Sequence, residues 1–173
     1  MQGFELAVLD GIQGLRCGWL DAVVVFVSWL GNNGLIWILL AAVLLALRKQ
    51  RRTGLCVCFG LVLDLLLCNL LLKPLIGRGR PFLLRPELVL LVPPPGDASF
   101  PSGHTAAGFA AVLALWGAGS PLWRPALGLA AVMGFSRLYL YVHWPSDVLG
   151  GVLVGGVAGW AGALLIRRVC KRK

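Results

Sequence analysis

With 173 residues, 58% of them hydrophobic and only 13% charged, and a mean hydropathy of +0.84, the chain is too apolar for a soluble domain. Soluble domains carry roughly 25% charged residues, and a chain this short has too little interior to hide the excess apolar side chains anywhere but in a bilayer. The net charge of +9 sits in clusters at the edges of apolar runs, with no long basic stripe and interleaved aromatics, so a membrane is the expected partner and nucleic acid is not.

Residues 4–15 mix apolar side chains with Glu5, Asp10 and Gln13 and are too few to span, which predicts an amphipathic helix on the membrane surface. No basic n-region precedes them, so no cleavable signal peptide is read there. Residues 21–30 predict a helix that lies in the interface or re-enters, and Asn32-Asn33-Gly34 predicts the turn that follows. Residues 1–32 thus form an interfacial or re-entrant part of a single membrane-embedded domain, 1–173. Crossing a ~30 Å hydrocarbon core takes about twenty apolar residues. Residues 54–72 and 148–166 meet that length, 125–142 nearly so, and 103–118 and 34–47 are shorter. The expected fold is an all-α polytopic membrane helical bundle of about five transmembrane helices, plus one or two N-terminal interfacial helices. A sixth span drawn from residues 15–30 is the alternative. Prolines and glycines make residues 73–102 the one long loop, and loops of that length are usually functional or mobile.

Basic residues divide between the two ends of these spans. Arg48, Lys49, Arg51, Arg52, Arg124, Arg167, Arg168, Lys171, Arg172 and Lys173 fall on one side, and Lys73, Arg78, Arg80, Arg85 and Arg137 on the other. The richer side is expected to be cytoplasmic, with the C-terminus there. The second set then faces outward, where topology does not call for it, and needs another reason.

Three blocks supply one. Lys73 to Pro81 ends one span, Pro101-Ser102-Gly103-His104 opens the next, and Ser136 to Asp147 bridges the last two, so all three meet at one face. Both histidines of the chain are among them. Arginine forks and a lysine point charge match the oxygens of a phosphate, so Lys73, Arg80 and Arg137 can clamp one. Ser102 is placed to cap a helix whose free N–H groups point at an anion, and Gly103 lets that anion approach the backbone. Pro145 suits the first turn of a helix that carries Asp147, four residues from His143. An aspartate there can hold one imidazole nitrogen and leave the other as a nucleophile. His104 can protonate a leaving oxygen and then activate water. A divalent metal would be repelled by these cations, so no cofactor is expected.

The blocks resemble the signature of the type-2 phosphatidic acid phosphatase superfamily: K-x6-R-P, then P-S-G-H, then S-R-x5-H-x3-D, with every fixed position and spacing met between Lys73 and Asp147. The resemblance implies a helical bundle core, a phosphohistidine on His143, Asp147 as its orienter and His104 as acid and base. It also implies phosphate contacts from Lys73, Arg80, Ser102, Gly103, Arg137 and Ser136. The expected activity is hydrolysis of a lipid phosphate or pyrophosphate, with undecaprenyl pyrophosphate favoured because Arg78 and Arg85 add cations to the loop. Phosphatidic acid or phosphatidylglycerophosphate hydrolysis, transfer to another acceptor, and phospholipid binding or transport without catalysis are the alternatives.

Outside the signature, Asp64 lies in mid-span and is read as satisfied by a neighbouring helix or protonated, with a functional role as the alternative, and Asn69 as a hydrogen bond between helices. Gly151, Gly155 and Gly159 form one face, read as close packing against the spans of His104 and Arg137, with a homodimer as the alternative. Most tryptophans are read as an interfacial belt, and Trp144, Tyr139 and Tyr141 as possible contacts for a lipid chain. The five cysteines are read as packing residues, Cys170 alternatively as a palmitoylation site.

Overall fold

The structure, a computed structural model, describes residues 2–171, the side chain of Lys171 excepted; Arg172 and Lys173 of the charge count lie outside the described residues. Among these residues the chain is helical without strands. Helices α1 (Gln2–Gln13) and α2 (Gly18–Gly31) lead through Asn33 and Gly34, both left-handed with φ of 52° and 70°, into α3 (Leu35–Ala46). The expected turn at Asn32-Asn33-Gly34 is therefore present, and glycine carries its second left-handed position at no steric cost. Helix α4 (Arg51–Asp64) continues as a π-helix over Leu65–Leu72 and ends in α5 (Lys73–Ile76). After the long loop come α6 (Gly103–Gly117), α7 (Trp123–Tyr139) and α8 (Pro145–Lys171).

Helices α3, α4, α6, α7 and α8 pack side by side as the bundle, with α6 at the centre between α4, α7 and α8. Three helical runs, Gly18–Ala46, Arg48–Leu84 and Pro145–Cys170, are long and apolar enough to cross a membrane by length and composition. Helices α6 and α7 are shorter, at 15 and 17 residues. The alanines of α6 explain its place: Ala106, Ala110, Ala111 and Ala114 are fully buried, so neighbours approach close to its backbone. The glycine face of α8 meets them. A Cβ at Gly155 would lie 2.0 Å from the Ala106 carbonyl oxygen, and one at Gly159 2.1 Å from that of Ala110. The glycine face is thus spent on α6 and, through Gly162 against Gly60, on α4. It touches α7 little, contrary to half of the expectation, and it leaves a homodimer without that support.

Outward-facing Leu39, Phe59, Leu66, Leu149, Leu153, Val157 and Trp160 are exposed and form the surface a bilayer would cover. Trp29, Trp116 and Trp160 share that surface, but Trp37 and Trp144 are buried, as are Tyr139 and Tyr141. The last three do not reach a lipid chain. The two tyrosine hydroxyls donate to Asp21 and Asp10, each at 2.6 Å, and the Trp144 indole N–H donates to the Gly79 carbonyl at 2.9 Å.

Candidate active site

The site forms where three segment ends meet. The turn between α7 and α8 is the most constrained of them. Tyr141 holds a left-handed φ of 60°, which costs a β-carbon-bearing residue about 1–3 kcal/mol and persists only where surroundings over-determine it. Here they do: Leu9 packs against Tyr141 and Trp144, and Val24 against Tyr139, Leu140 and Val142. The turn buttressed by α1 and α2 aims His143, which is 3% exposed, into the bundle. Pro145 opens α8 as expected, and Asp147 in its first turn reaches back to accept the Trp144 N–H at 2.9 Å, a capping-box arrangement.

Asp147 Oδ2 lies 3.5 Å from His143 Nδ1, a nitrogen with no other polar partner. The same oxygen accepts from the Ser99 hydroxyl, and Oδ1 accepts from Arg78 Nη1 at 2.6 Å. His143 Nε2, on the other side of the ring, lies 3.3 Å from Arg80 Nη1. Burial lowers the pKa of His143 to about 4, with Arg80 adding to the effect and Asp147 opposing it. The imidazole is therefore neutral at ordinary pH, as a nucleophile must be.

Arg80 is buried and donates Nε to the Asp97 carbonyl at 2.9 Å, Nη1 to the Val142 carbonyl at 2.6 Å and Nη2 to Asp97 Oδ1 at 2.6 Å. Lys73 pairs with the other oxygen of Asp97. Burial raises the Asp97 pKa, but Lys73 and Arg80 outweigh it and hold the carboxyl at about 2. On the facing side, His104 Nε2 is 3.2 Å from Arg137 Nη1, 3.2 Å from the Ser28 carbonyl and 3.1 Å from Asn32 Oδ1. Arg137 also donates to the Ser28 hydroxyl.

These groups line one cavity of about 780 Å³. Lys73, Arg80, His104, Arg137, His143 and Gly103 form its polar end, and Ile38, Ala41 and Leu45 of α3, Leu61 and Val62 of α4 and Leu65 of the π-helix form an apolar wall below. Phosphate-sized charge at one end and hydrocarbon along the other suit an amphiphile. Asp64 and Asn69 also line the cavity. Asn69 makes no hydrogen bond to a neighbouring helix among the described residues; its Oδ1 lies 3.3 Å from where a Cβ on Gly103 would stand. The i→i+5 bonding of the π-helix turns Asp64, Asn69 and Lys73 to one face, a phase that an α-helix would not hold. Asp64 is 3% exposed and its Oδ1 has no partner, so no neighbouring helix satisfies that oxygen.

Two of the expected phosphate contacts point elsewhere. Ser102 stands at the N-cap of α6 but makes no side-chain cap bond; its hydroxyl accepts from Thr105 at 3.0 Å. The Ser136 hydroxyl donates to the Met133 carbonyl of its own helix at 2.7 Å. Neither lines the cavity. The two extra loop cations are also committed. Arg78 binds Glu5, Ser146 and Asp147 and stacks over the Trp144 ring at 5.1 Å, and Arg85 pairs with Asp10 at 2.7 Å. Neither guanidinium is therefore left to hold the second phosphate of a pyrophosphate. Sequence reasoning missed Arg78, Ser99 and Glu5 behind Asp147, and Ser28, Asn32 and Gly31 around His104. A Cβ on Gly31 would stand 2.6 Å from the His104 ring, and no local motif announces that contact.

The fold and the three converging blocks define a membrane-embedded phosphatase. With the profile of the PAP2 superfamily matching residues 53–170, the chain belongs to that family. It is 32% identical over 158 residues, 88% of this chain and 74% of the other, to an undecaprenyl-diphosphatase of Sulfolobus acidocaldarius. It is 35% identical over 159 residues, 90% of this chain and 86% of the other, to a decaprenylphosphoryl-5-phosphoribose phosphatase of Mycobacterium tuberculosis. Among solved structures it is similar to a transmembrane PAP2-type phosphatidylglycerolphosphate phosphatase of Bacillus subtilis, with a TM-score of 0.75, 28% identity, and coverage of 99% of this chain and 86% of that one.

Proposed function

We propose that the protein removes the terminal phosphate from a polyprenyl-borne lipid, undecaprenyl pyrophosphate first, through a phosphohistidine on His143 and without a metal. The observation that carries the chemistry is the orientation of His143. Its Nδ1 faces Asp147, and its Nε2 faces a cavity walled by three cations and a second histidine. The polyprenyl reading rests on the two relatives named above, whose substrates by name share that chain, and on the apolar wall beneath the polar end.

The phosphate sits against Lys73, Arg80, Arg137 and the backbone at Gly103. Nε2 of His143 attacks phosphorus. As the P–N bond forms, the P–O bond to the lipid breaks, and the leaving oxygen takes a proton from His104. Asp147 stabilises the positive charge that grows on the ring. Water then attacks phosphorus, His104 accepts its proton, the P–N bond breaks and phosphate departs. The three cations carry the charge of the transition state, a role a divalent ion would otherwise fill. The site faces away from the cytoplasm, on the strength of the basic residues at the other end, where Arg52, Arg167 and Arg168 line one pocket.

Phosphate release from a panel of purified lipid phosphates in detergent tests the reading. Turnover is expected to be fastest on undecaprenyl pyrophosphate, to persist in excess chelator, and to fall with orthovanadate. His143→Ala is expected to abolish it. Label trapped by an alkaline denaturing quench should be alkali-stable and lost on acid treatment. Acid-stable label that is lost in Ser102→Ala and kept in His143→Ala would move the nucleophile to the serine.

A further inference from the structure

We infer that the Asp97 carboxylate competes with substrate for Lys73 and Arg80, and so acts as a charge filter that admits doubly charged terminal phosphates and turns away singly charged phosphodiesters of the surrounding bilayer. The inference rests on the assignment of Lys73 and Arg80 as phosphate ligands made above. Asp97 bridges those two cations with one oxygen each. Arg80 has little else to offer. Its Nε and Nη1 are held by the carbonyls of Asp97 and Val142, Nη1 also lying 3.3 Å from His143 Nε2, and Nη2 is the nitrogen bound to a carboxylate, with only a long 3.4 Å contact to the Ala98 carbonyl besides. A phosphate that takes Nη2 and the Lys73 ammonium must replace the carboxylate.

The replacement is mechanically simple. The Asp97 side chain is 52% exposed and lies in an irregular stretch after Gly96, so it can turn to water without becoming a buried unpaired charge. Arg80 stays put meanwhile, because its bonds to the backbone carbonyls do not involve the carboxylate.

Charge then decides which ligands succeed. The carboxylate is tethered, and a tethered competitor acts at an effective concentration on the order of millimolar or above. A phosphodiester brings one negative charge, the same as the group it must displace, so exchange gains it nothing. A phosphomonoester or terminal pyrophosphate brings nearly two above its second pKa of about 6, and neutralises both cations. An enzyme working in a phospholipid bilayer needs that discrimination, since phosphodiester headgroups far outnumber any substrate.

The test uses the full-length protein in detergent at pH 8, with inorganic phosphate as probe and phosphatidylglycerol as the diester. Calorimetry should show phosphate binding about tenfold tighter to Asp97→Asn than to wild type, a shift of one decade in Kd. Turnover of a lipid phosphomonoester by Asp97→Asn should fall as phosphatidylglycerol is added to the micelles, at mole fractions that leave the wild type unaffected. Asp97→Ser, which also removes the charge, should behave alike and covers a failure of the asparagine variant to fold. Unchanged or weaker phosphate binding in both variants would overturn the filter and make Asp97 a positioning residue for the cations. So would equal inhibition of wild type and variants by phosphatidylglycerol. Phosphate binding insensitive to Lys73→Met and Arg80→Met would instead overturn the ligand assignment, and the filter with it.

Discussion

A buried imidazole between cations loses its proton more readily than one in water, and His143 is such a group: burial, with Arg80 and Arg137 nearby, brings its pKa down to about 4 despite Asp147. The chain has only two histidines, so His104→Asn leaves His143 as the sole imidazole. Its NMR titration is expected to have a midpoint well below 6.5, near 4, with the neutral form dominant above it. A midpoint at or above 6.5 would mean the ring is solvated or that Asp147 controls it. Arg78 is the second residue to probe. Its guanidinium joins Glu5, Ser146 and the fully buried Asp147, so it holds the carboxylate beside His143 without lining the cavity. A hydrogen bond to a charged group is worth about 1.5–3 kcal/mol, which corresponds to roughly tenfold to a hundredfold in rate if it is felt at the transition state. Arg78→Met is therefore expected to lower kcat by that range with little change in KM. A changed KM at constant kcat would place Arg78 with the substrate instead.

Among the elements, α6 and α8 approach most closely, and the reason is chemical: alanine on one side, glycine on the other. Any side chain at Gly155 collides with the backbone of α6, not with a flexible tip, so the helices must separate. Overpacking costs typically about 1–3 kcal/mol and more where backbone is struck. Gly155→Leu should lower the thermal midpoint in detergent sharply or prevent folding. Gly156 is the matched control: a Cβ there meets only Leu113 at 3.9 Å. Gly156→Ala should be neutral or stabilising by about 0.4–1 kcal/mol, through lost freedom of the unfolded chain. Equal effects at both positions would refute the packing argument. The glycine face was legible in the sequence because a four-residue spacing repeats on one helix face. Its partner was only half legible, since which neighbour is crossed depends on how all five helices pack.

At the scale of the molecule, the two ends differ in charge for different reasons. At one end the arginines line a pocket, and at the other the cations converge on the cavity beside His143. The orientation proposed above predicts that Pro94→Cys, in a background without native cysteines, labels with an impermeant thiol reagent in intact cells. Labelling only after lysis would reverse the topology and the pool of substrate available. The N-terminal helix belongs to this scale too. Glu5 and Asp10 reach the long loop through Arg78 and Arg85 and the start of α8 and the turn before it through Ser146 and Tyr141, so α1 is tied to the site by ion pairs as well as by Leu9. Read alone, residues 4–15 show amphipathicity but nothing of that attachment.

The apolar elements, their order, and the face at which Lys73, Arg80, His104, Arg137, His143 and Asp147 meet follow from the amino-acid sequence alone. They do so because hydrophobic length is a sum over neighbouring residues and the three blocks sit at the ends of the segments it defines. How the polar groups pair depends instead on the packed helices. Asp97 on Lys73 and Arg80, Arg78 on Asp147 and Glu5, and Ser28 and Asn32 at His104 join residues 17 to 76 apart, and nothing local marks them. The hydroxyls of Ser102 and Ser136 likewise turned to Thr105 and to the Met133 carbonyl. A buried polar group takes whichever partner the packed backbone brings within about 3 Å, and that choice is made by helix positions rather than by spacing along the chain.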